Sequence, residues 1–527
     1  MNHVKALLAA AFGVFLLTIS IAAQAPKSRP KPRATTPRAP AAKPAQTPAT
    51  TAKEGTPATA SKGAVATTAP PAGTLAVVNG QQISLTDLDA EVRDAVLGFD
   101  KETQDMQRAG LEDQINTYLL EAEAKKRKVT LQQLLDAEVN NRVTPPAEAE
   151  IKAFFDANRA KIGTDDYNSV HEQIAALLRE QSTQKIIGEL VNRLRLTTTV
   201  TTGADPNAPN LPASTVLATV GGRTITKGYL TERLKPYIYK RRLEIFQNEM
   251  AALNYKIYET LLTAEARRRN TTPEELFRTE VTAKVKTPSE ADVAKFYEEN
   301  KARIQGDLPS LREQISNFLL QQEQRRLVFE LNQRLRTGAN LQVLLTEPES
   351  PVQVISTDDD PSRGEAKAPV TVVVFTDFQC PACAAAHPFI DETLKSYGPR
   401  VRLVVRDFPL SQHEQARKAA EAADAANAQG KFFEYISVLF KNQSALDVPS
   451  LKKYAVELGL DAARFNAALD SGEYAAEVEH DVQDGEQYGV DSTPSIFING
   501  VRLRDVTPEA LRAAIDHALA RGASPAQ

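Results

Sequence analysis

Apolar positions recur at helical spacing along most of this chain, with short alternating runs between the helical stretches. Ile187, Leu190, Val191 and Leu194 fall at i, i+3, i+4 and i+7, one stripe of an amphipathic helix. Two short runs, LAVVNGQQIS from Leu75 and LATVGGRTIT from Leu217, read instead as β-hairpins. Asn79-Gly80 and Gly221-Gly222 sit where a two-residue turn needs positive φ. The two runs are copies of one pattern at an offset of 142 residues. At the same offset Leu119 matches Leu261, Leu134 matches Leu276, Pro146 matches Pro288, Phe154 matches Phe296 and Asn158 matches Asn300. One residue is then lost in a loop, and Glu172-Gln173-Ile174 matches Glu313-Gln314-Ile315. Residues 75–200 and 217–346 are therefore expected to be two copies of one mainly helical unit. In each copy a proline (Pro146, Pro288) breaks the chain, and acids just after it open a new helix.

From about residue 350 the pattern becomes mixed α/β. Strands are expected at 352–355, 370–375, 401–406, 495–498 and 501–504. A long helical stretch at 412–488 separates the third from the fourth, Asn499-Gly500 is a hairpin turn, and a last helix covers 508–520. The overall fold class is thus multidomain: two mainly α-helical repeats followed by an α/β domain, residues 350–525, with a helical insertion. The connections at 197–212 and 347–369 read as linkers, and the acidic run Asp358-Asp359-Asp360 in the second reads as a solvated loop, not a metal site.

The N-terminus differs from both. Lys5, the apolar run 6–23 and Ala23-Gln24-Ala25 fit a secretory signal over residues 1–25 with a small-residue cleavage site. An uncleaved anchor is the alternative, since about 18 apolar residues can span a bilayer. Lys27, Arg29, Lys31 and Arg33 oppose it, because positive charge is expected on the cytoplasmic side. Residues 26–72, rich in Pro, Ala and Thr, lack the large apolar side chains needed to offset chain entropy and read as a disordered tether. The formal net charge of −4 leaves no nucleic-acid footprint.

Candidate chemistry is concentrated in FTDFQCPACAAAHP, Phe375 to Pro388. It holds the only two cysteines, Cys380 and Cys383, between an apolar β-branched run and a helix-compatible one. A thiol at the first turn of a helix faces unsatisfied backbone N–H groups and the positive dipole end, which favour the thiolate. Zinc wants about four protein ligands, and neither a second CxxC nor a paired-histidine motif is present. A structural disulfide closing so short a loop constrains the unfolded chain very little. A dithiol/disulfide exchange site at Cys380–Cys383, with no metal and no cofactor, is the reading that remains.

Two resemblances sharpen this. The openings VVNGQQISLTDLD and TVGGRTITKGYL, and the runs at Pro146 and Pro288 that lead to Phe154 and Phe296, resemble the core of SurA- and PrsA-type chaperones. The parvulin isomerase domain of those families has no room here, because the gaps at 162–170 and 304–311 are short loops. That resemblance implies client binding or dimerisation and no prolyl-isomerase activity. The CPAC motif with GVDSTPSIFINGVRL resembles the DsbA-like branch of the thioredoxin superfamily. It implies an exposed, attacking Cys380, a resolving Cys383, and a cis Thr493–Pro494 bond facing them and shaping a peptide groove. Pro381, Ala382 and His387 are implied as weaker modulators, His387 being chiefly structural, and Asp377 as a loop cap. Ala382 stands where strong oxidants carry His, and Val374 stands where relatives carry a buried acid. The expected function is an exported thiol–disulfide oxidoreductase, periplasmic or extracytoplasmic. Its partners would be unfolded or cysteine-containing secreted proteins and a membrane redox partner, with a homodimer possible. The rivals are an extracytoplasmic holdase with a secondary redox site and a dedicated thiol reductase.

Overall fold

The computed structural model of the protein describes residues 73–162, 166–301 and 306–522. The signal segment 1–25 and the tether 26–72 lie outside them. Each repeat opens with a hairpin whose turn takes positive φ at both central residues. The first is β1 (Thr74–Val78) and β2 (Gln81–Ser84), turning at Asn79 and Gly80. It leads into a 38-residue helix α1 (Ala90–Arg127), then α2 (Leu131–Glu138), α3 (Glu148–Ile162), α4 (Tyr167–Thr197) and the short strand β3 (Val200–Thr202). The second repeat runs in the same order: β4 (Val216–Val220), β5 (Arg223–Thr226), α5 (Lys227–Arg268), α6 (Pro273–Glu280), α7 (Glu290–Asn300), α8 (Leu308–Thr337) and β6 (Leu341–Val343). The stretch 197–212 is not all linker, because β3 lies in it.

The two repeats exchange strands. β6, after the last helix of the second repeat, pairs with β1 of the first, Val78 opposite Leu341. β3, after the last helix of the first repeat, pairs with β4 of the second, Val220 opposite Val200. Apolar side chains complete the exchange. Ala76, Val78 and Ile83 pack on Leu253, Ile257 and Leu261 of α5, and their equivalents Ala218, Val220 and Ile225 pack with Ile115 and Leu119 of α1. Full burial of a Leu, Ile or Val side chain stabilises by about 1.5–3 kcal/mol, so these clusters outweigh the few hydrogen bonds of each three-stranded sheet. α1 and α5 also pack on one another. Gly110 permits the close approach, since a Cβ there would lie 2.8 Å from Leu234 Cδ2. Beside it the buried Asp113 accepts from Arg233 Nη2 at 3.0 Å.

The C-terminal unit has a five-stranded sheet in the order β11-β10-β8-β9-β7: β7 (Ser362–Arg363), β8 (Val370–Thr376), β9 (Val401–Asp407), β10 (Ser495–Ile498) and β11 (Val501–Arg502). β8 and β9 are parallel, and β10 is antiparallel to β8. α9 (Pro381–Tyr397) crosses between β8 and β9. Five helices fill the insertion: α10 (Ala416–Asn427), α11 (Phe432–Lys441), α12 (Val448–Glu457), α13 (Ala462–Ser471) and α14 (Ala475–Gln487). α15 (Pro508–Ala520), capped by Thr507, closes the chain's described part. Residues 352–355 do not form the expected strand. Only Val352 bridges, to Val501, because the hairpin β10–β11 offers a two-residue edge.

The acidic run is likewise not a solvated loop throughout. Asp360 is buried, its Oδ2 3.2 Å from Arg406 Nε, and Arg406 is itself fully buried between Asp360, Asp481 and Asp484. The buried Asp424 lies close enough for Asp481 to act on it electrostatically, and one of its carboxylate oxygens has no hydrogen-bond partner. Burial, then repulsion from Asp481 and Glu477, pushes the Asp424 carboxyl up to about 8.

Two outcomes follow from this packing. Arg233→Ala strands a buried charge at Asp113 and is expected to cost about 3 kcal/mol or more in urea unfolding, with Asp113→Asn restoring part of the loss. Because the folded-state pKa of Asp424 lies above its unfolded value near ~3.9, the folded form binds more protons between those limits. Stability is therefore fully present below about pH 4 and falls as pH rises through about 8, by up to about 1.4 kcal/mol per pH unit. Asp424→Asn is expected to flatten that slope and raise the unfolding midpoint at pH 8; a steeper slope in the variant would contradict the assignment.

Candidate active site

β8 is buried along its length and delivers the chain to Asp377 at the sheet's edge. The Asp377 carboxylate fixes the loop that follows. Oδ1 accepts from the amides of Gln379 (2.7 Å) and Cys380 (3.1 Å). Oδ2 accepts from the amide of Leu410 (2.8 Å) and lies 2.7 Å from His413 Nδ1. Asp377 is therefore a loop cap. Cys380 is the N-cap residue of α9, Pro381 occupies the first helical turn where its missing N–H is no loss, and Pro381 and Ala382 are exposed.

The insertion holds the same loop from the other side. Gln443 Nε2 donates to the carbonyls of Phe378 (3.0 Å) and Cys380 (2.8 Å), and Gln379 Oε1 accepts from the amide of Gln415 (2.8 Å). Gln415, Gln443 and His413 carry no sequence signal, since each lies more than 30 positions from its partner.

The Thr493–Pro494 peptide bond is cis and stands against the cysteines: Cys380 Sγ lies 3.5 Å from Thr493 O. One expectation needs correcting. Cys380 is buried, 6% exposed, because the Thr493 turn covers Sγ on one side and the insertion closes the loop on the other; the exposed rim is Pro381 and Ala382. Cys383 is deeper, 2% exposed, and both residues are free thiols here.

Their environments drive the two thiols apart. The hydrogen bond from Cys383 to the Cys380 sulfur lowers the Cys380 pKa to about 5. Burial opposes this; the amides of Cys383 and Ala382 assist it. The same hydrogen bond, together with burial, pushes the Cys383 thiol far up. At neutral pH the pair therefore carries one negative charge, on Cys380.

His387 hydrogen-bonds to Ser437, not to a thiol. Its Nε2 lies 3.2 Å from Ser437 Oγ, its ring stacks on Phe440 at 4.9 Å, and burial lowers its pKa. It does line, with Val374, Thr376, Cys383 and Pro494, a cavity of about 20 Å³. That is room for about one water molecule beside the deeper thiol. Val374 stands on the sheet side of this space, and the one carboxylate among its lining residues is that of Asp391.

Residues 356–517 match the thioredoxin family profile. The Na+/H+ antiporter NhaA 3 of Salinispora tropica is 39% identical over 199 residues, 37% of this chain and 30% of that protein. NhaA of Herminiimonas arsenicoxydans is 37% identical over 166 residues, 32% of this chain and 25% of that protein. The chain thus spans less than a third of the length of these curated relatives. Among solved structures, a thioredoxin-like oxidoreductase from Silicibacter pomeroyi is 28% identical, at TM-score 0.29, over 31% of this chain and 92% of that one. BdbD from Bacillus subtilis is 21% identical, at TM-score 0.30, over 33% of this chain and 100% of that one. With the parallel β8–β9 pair, the antiparallel β10 and the match over 356–517, the C-terminal region is a thioredoxin-like α/β unit.

Ultraviolet thiolate absorbance of the reduced protein is expected to titrate near pH 5, to vanish in Cys380→Ser, and to shift upward in Cys383→Ala, which removes the main hydrogen bond. A single transition near the ordinary cysteine value of ~8.5 would refute the asymmetry.

Proposed function

We propose that the protein is an exported thiol–disulfide oxidoreductase acting on cysteine-containing client polypeptides. The observation that carries this is the placing of the pair: Cys380 caps α9 with its sulfur 3.5 Å from the carbonyl of the cis Thr493–Pro494 turn, and Cys383 lies one turn deeper, in surroundings that lower the Cys380 pKa and raise that of Cys383. In the oxidising direction a client thiolate attacks the Cys380 sulfur of a Cys380–Cys383 disulfide. The S–S bond breaks, and Cys383 leaves with the electron pair and takes a proton. A second client thiolate then attacks the mixed disulfide and releases Cys380 as thiolate. The balance is client dithiol plus enzyme disulfide giving client disulfide plus enzyme dithiol.

Direction follows from the leaving group. A stabilised Cys380 thiolate leaves readily and favours the reduced enzyme, which makes the disulfide oxidising. A pKa of about 5 lies between about 3.5 for a strong oxidant and about 7 for thioredoxin. This favours an oxidase or isomerase over a dedicated reductase, and Ala382 in the CPAC fits the intermediate value. Pro494, with Thr493, presents backbone to an extended client.

Export rests on residues 1–25 and on the chemistry, since disulfides persist in oxidising compartments. Among the described residues no helix is long and apolar enough to cross a membrane. An oxidising enzyme also needs a partner that reoxidises it, which we place at the membrane. The SurA-like repeats would hold clients. Their helices leave Leu97, Tyr255, Phe318 and Phe329 exposed at 69, 63, 44 and 61%, side chains that unfolded chain can cover. The same four residues support the second reading, a holdase whose redox site is secondary.

Cys380→Ser is expected to abolish exchange with a reduced unfolded protein, whereas Cys383→Ser accumulates mixed disulfides visible on non-reducing gels. Equal exchange activity in both variants would overturn the two roles, and undiminished suppression of aggregation in the double variant would favour the holdase.

A further inference from the structure

α5 belongs to the second repeat, yet its first half lies against the segment that carries Thr493 and Pro494. Tyr237 Oη donates to the carbonyl of Glu486 at 2.7 Å. Lys240 Nζ donates to Asp491 Oδ2 at 2.5 Å, and Arg502 Nη2 holds the other oxygen at 3.0 Å. The ring of Pro236, inside the helix, fills the space beside Gly489; a Cβ there would lie 2.6 Å from Pro236 Cβ, and φ is +75°. Segment 486–491 is thus clasped between the repeat unit and the thioredoxin-like unit, two residues before Thr493.

Beyond the clasp the two units part and leave a cleft of about 530 Å³, within the size range of ligand sites. Tyr239, Leu243 and Gln247 of α5 line one side; Leu503 and Val506 of the thioredoxin-like unit line it too, as does Pro494. Each cation that lines it already has a carboxylate partner: Lys240 and Arg502 bind Asp491, and Arg504 pairs with Glu347. None is left to select an acidic ligand. Besides the paired groups, the walls offer apolar side chains, uncharged hydrogen-bonding groups and one carboxylate, Asp505, a surface that an unfolded polypeptide without acidic residues can meet. Pro494, in the lining, adjoins Thr493, whose carbonyl is 3.5 Å from the Cys380 sulfur.

We propose that this cleft takes the uncharged stretch of client polypeptide flanking the reacting cysteine, so that α5 of the repeat unit is one wall of the substrate site. The proposal rests on the thiol-exchange reading above. It assigns Leu243 and Gln247 to client recognition and Tyr237 and Lys240 to positioning of the Thr493–Pro494 turn. A small thiol does not reach the cleft wall, whereas a polypeptide does.

The test uses the full chain in its oxidised form and two thiols, reduced unfolded ribonuclease A and glutathione. In Leu243→Asp, which places a charge on the half-buried wall, the ratio of the rate constant for ribonuclease to that for glutathione is expected to fall about tenfold, the equivalent of about 1.4 kcal/mol. Leu243→Met should keep the ratio within about twofold, as a volume-conserving change. Gln247→Glu, at an exposed position that cannot disturb folding, should lower it in the same direction. A ratio unchanged in both charged variants overturns the cleft while leaving the exchange reading intact. A wild-type protein that reacts with neither thiol overturns the exchange reading and the cleft with it.

Discussion

The carboxylate of Asp377 is the constraint on which the redox unit depends. Among the described residues it joins four parts of the chain: its own loop at Gln379, the start of α9 at Cys380, the segment after β9 at Leu410, and the entry to the insertion at His413. A carboxylate this deeply buried is tolerable because its oxygens are hydrogen-bonded, and removing partners would leave an uncompensated charge. The position of the Cys380 sulfur is therefore a consequence of strand, insertion and helix meeting at one group. Gln443, reaching the carbonyls of Phe378 and Cys380, makes the insertion part of the site's frame.

The repeats obey a different logic. Each hairpin is too small to be stable alone and has its apolar face on the other repeat's long helix. The symmetric exchange of β3 and β6 makes one chain its own dimer. This frees the first half of α5 to meet the thioredoxin-like unit through Pro236, Tyr237 and Lys240. A helix whose second half is core for one repeat's hairpin thus ends, at its other half, against the segment that carries Pro494.

Much of this was legible locally. Asn79-Gly80, Gly221-Gly222 and Asn499-Gly500 all take positive φ at the turns where their residue types require it. α15 starts at Pro508 because Thr507 caps it, a signal confined to four residues. What depends on distant partners was not legible. The burial of Cys380 comes from Thr493 and the insertion. Asp360 is drawn inside by Arg406, which no local pattern marks as a buried cation, so the acidic run looked like solvated loop. β7 is two residues long and exists only as the antiparallel partner of β9. The strand exchange leaves no trace in either repeat, because each reads as a complete unit with its own hairpin and its own closing helix.

That exchange also sets an order of assembly. β1 is synthesised well before its outer partner β6, which begins only at Leu341, more than 260 residues later. Pairing over such a separation is slow, since the loop must close before the contact forms. The first sheet is thus the last part of the repeat unit to be completed, a clasp that shuts only when both copies are present. The thioredoxin-like unit follows immediately behind it.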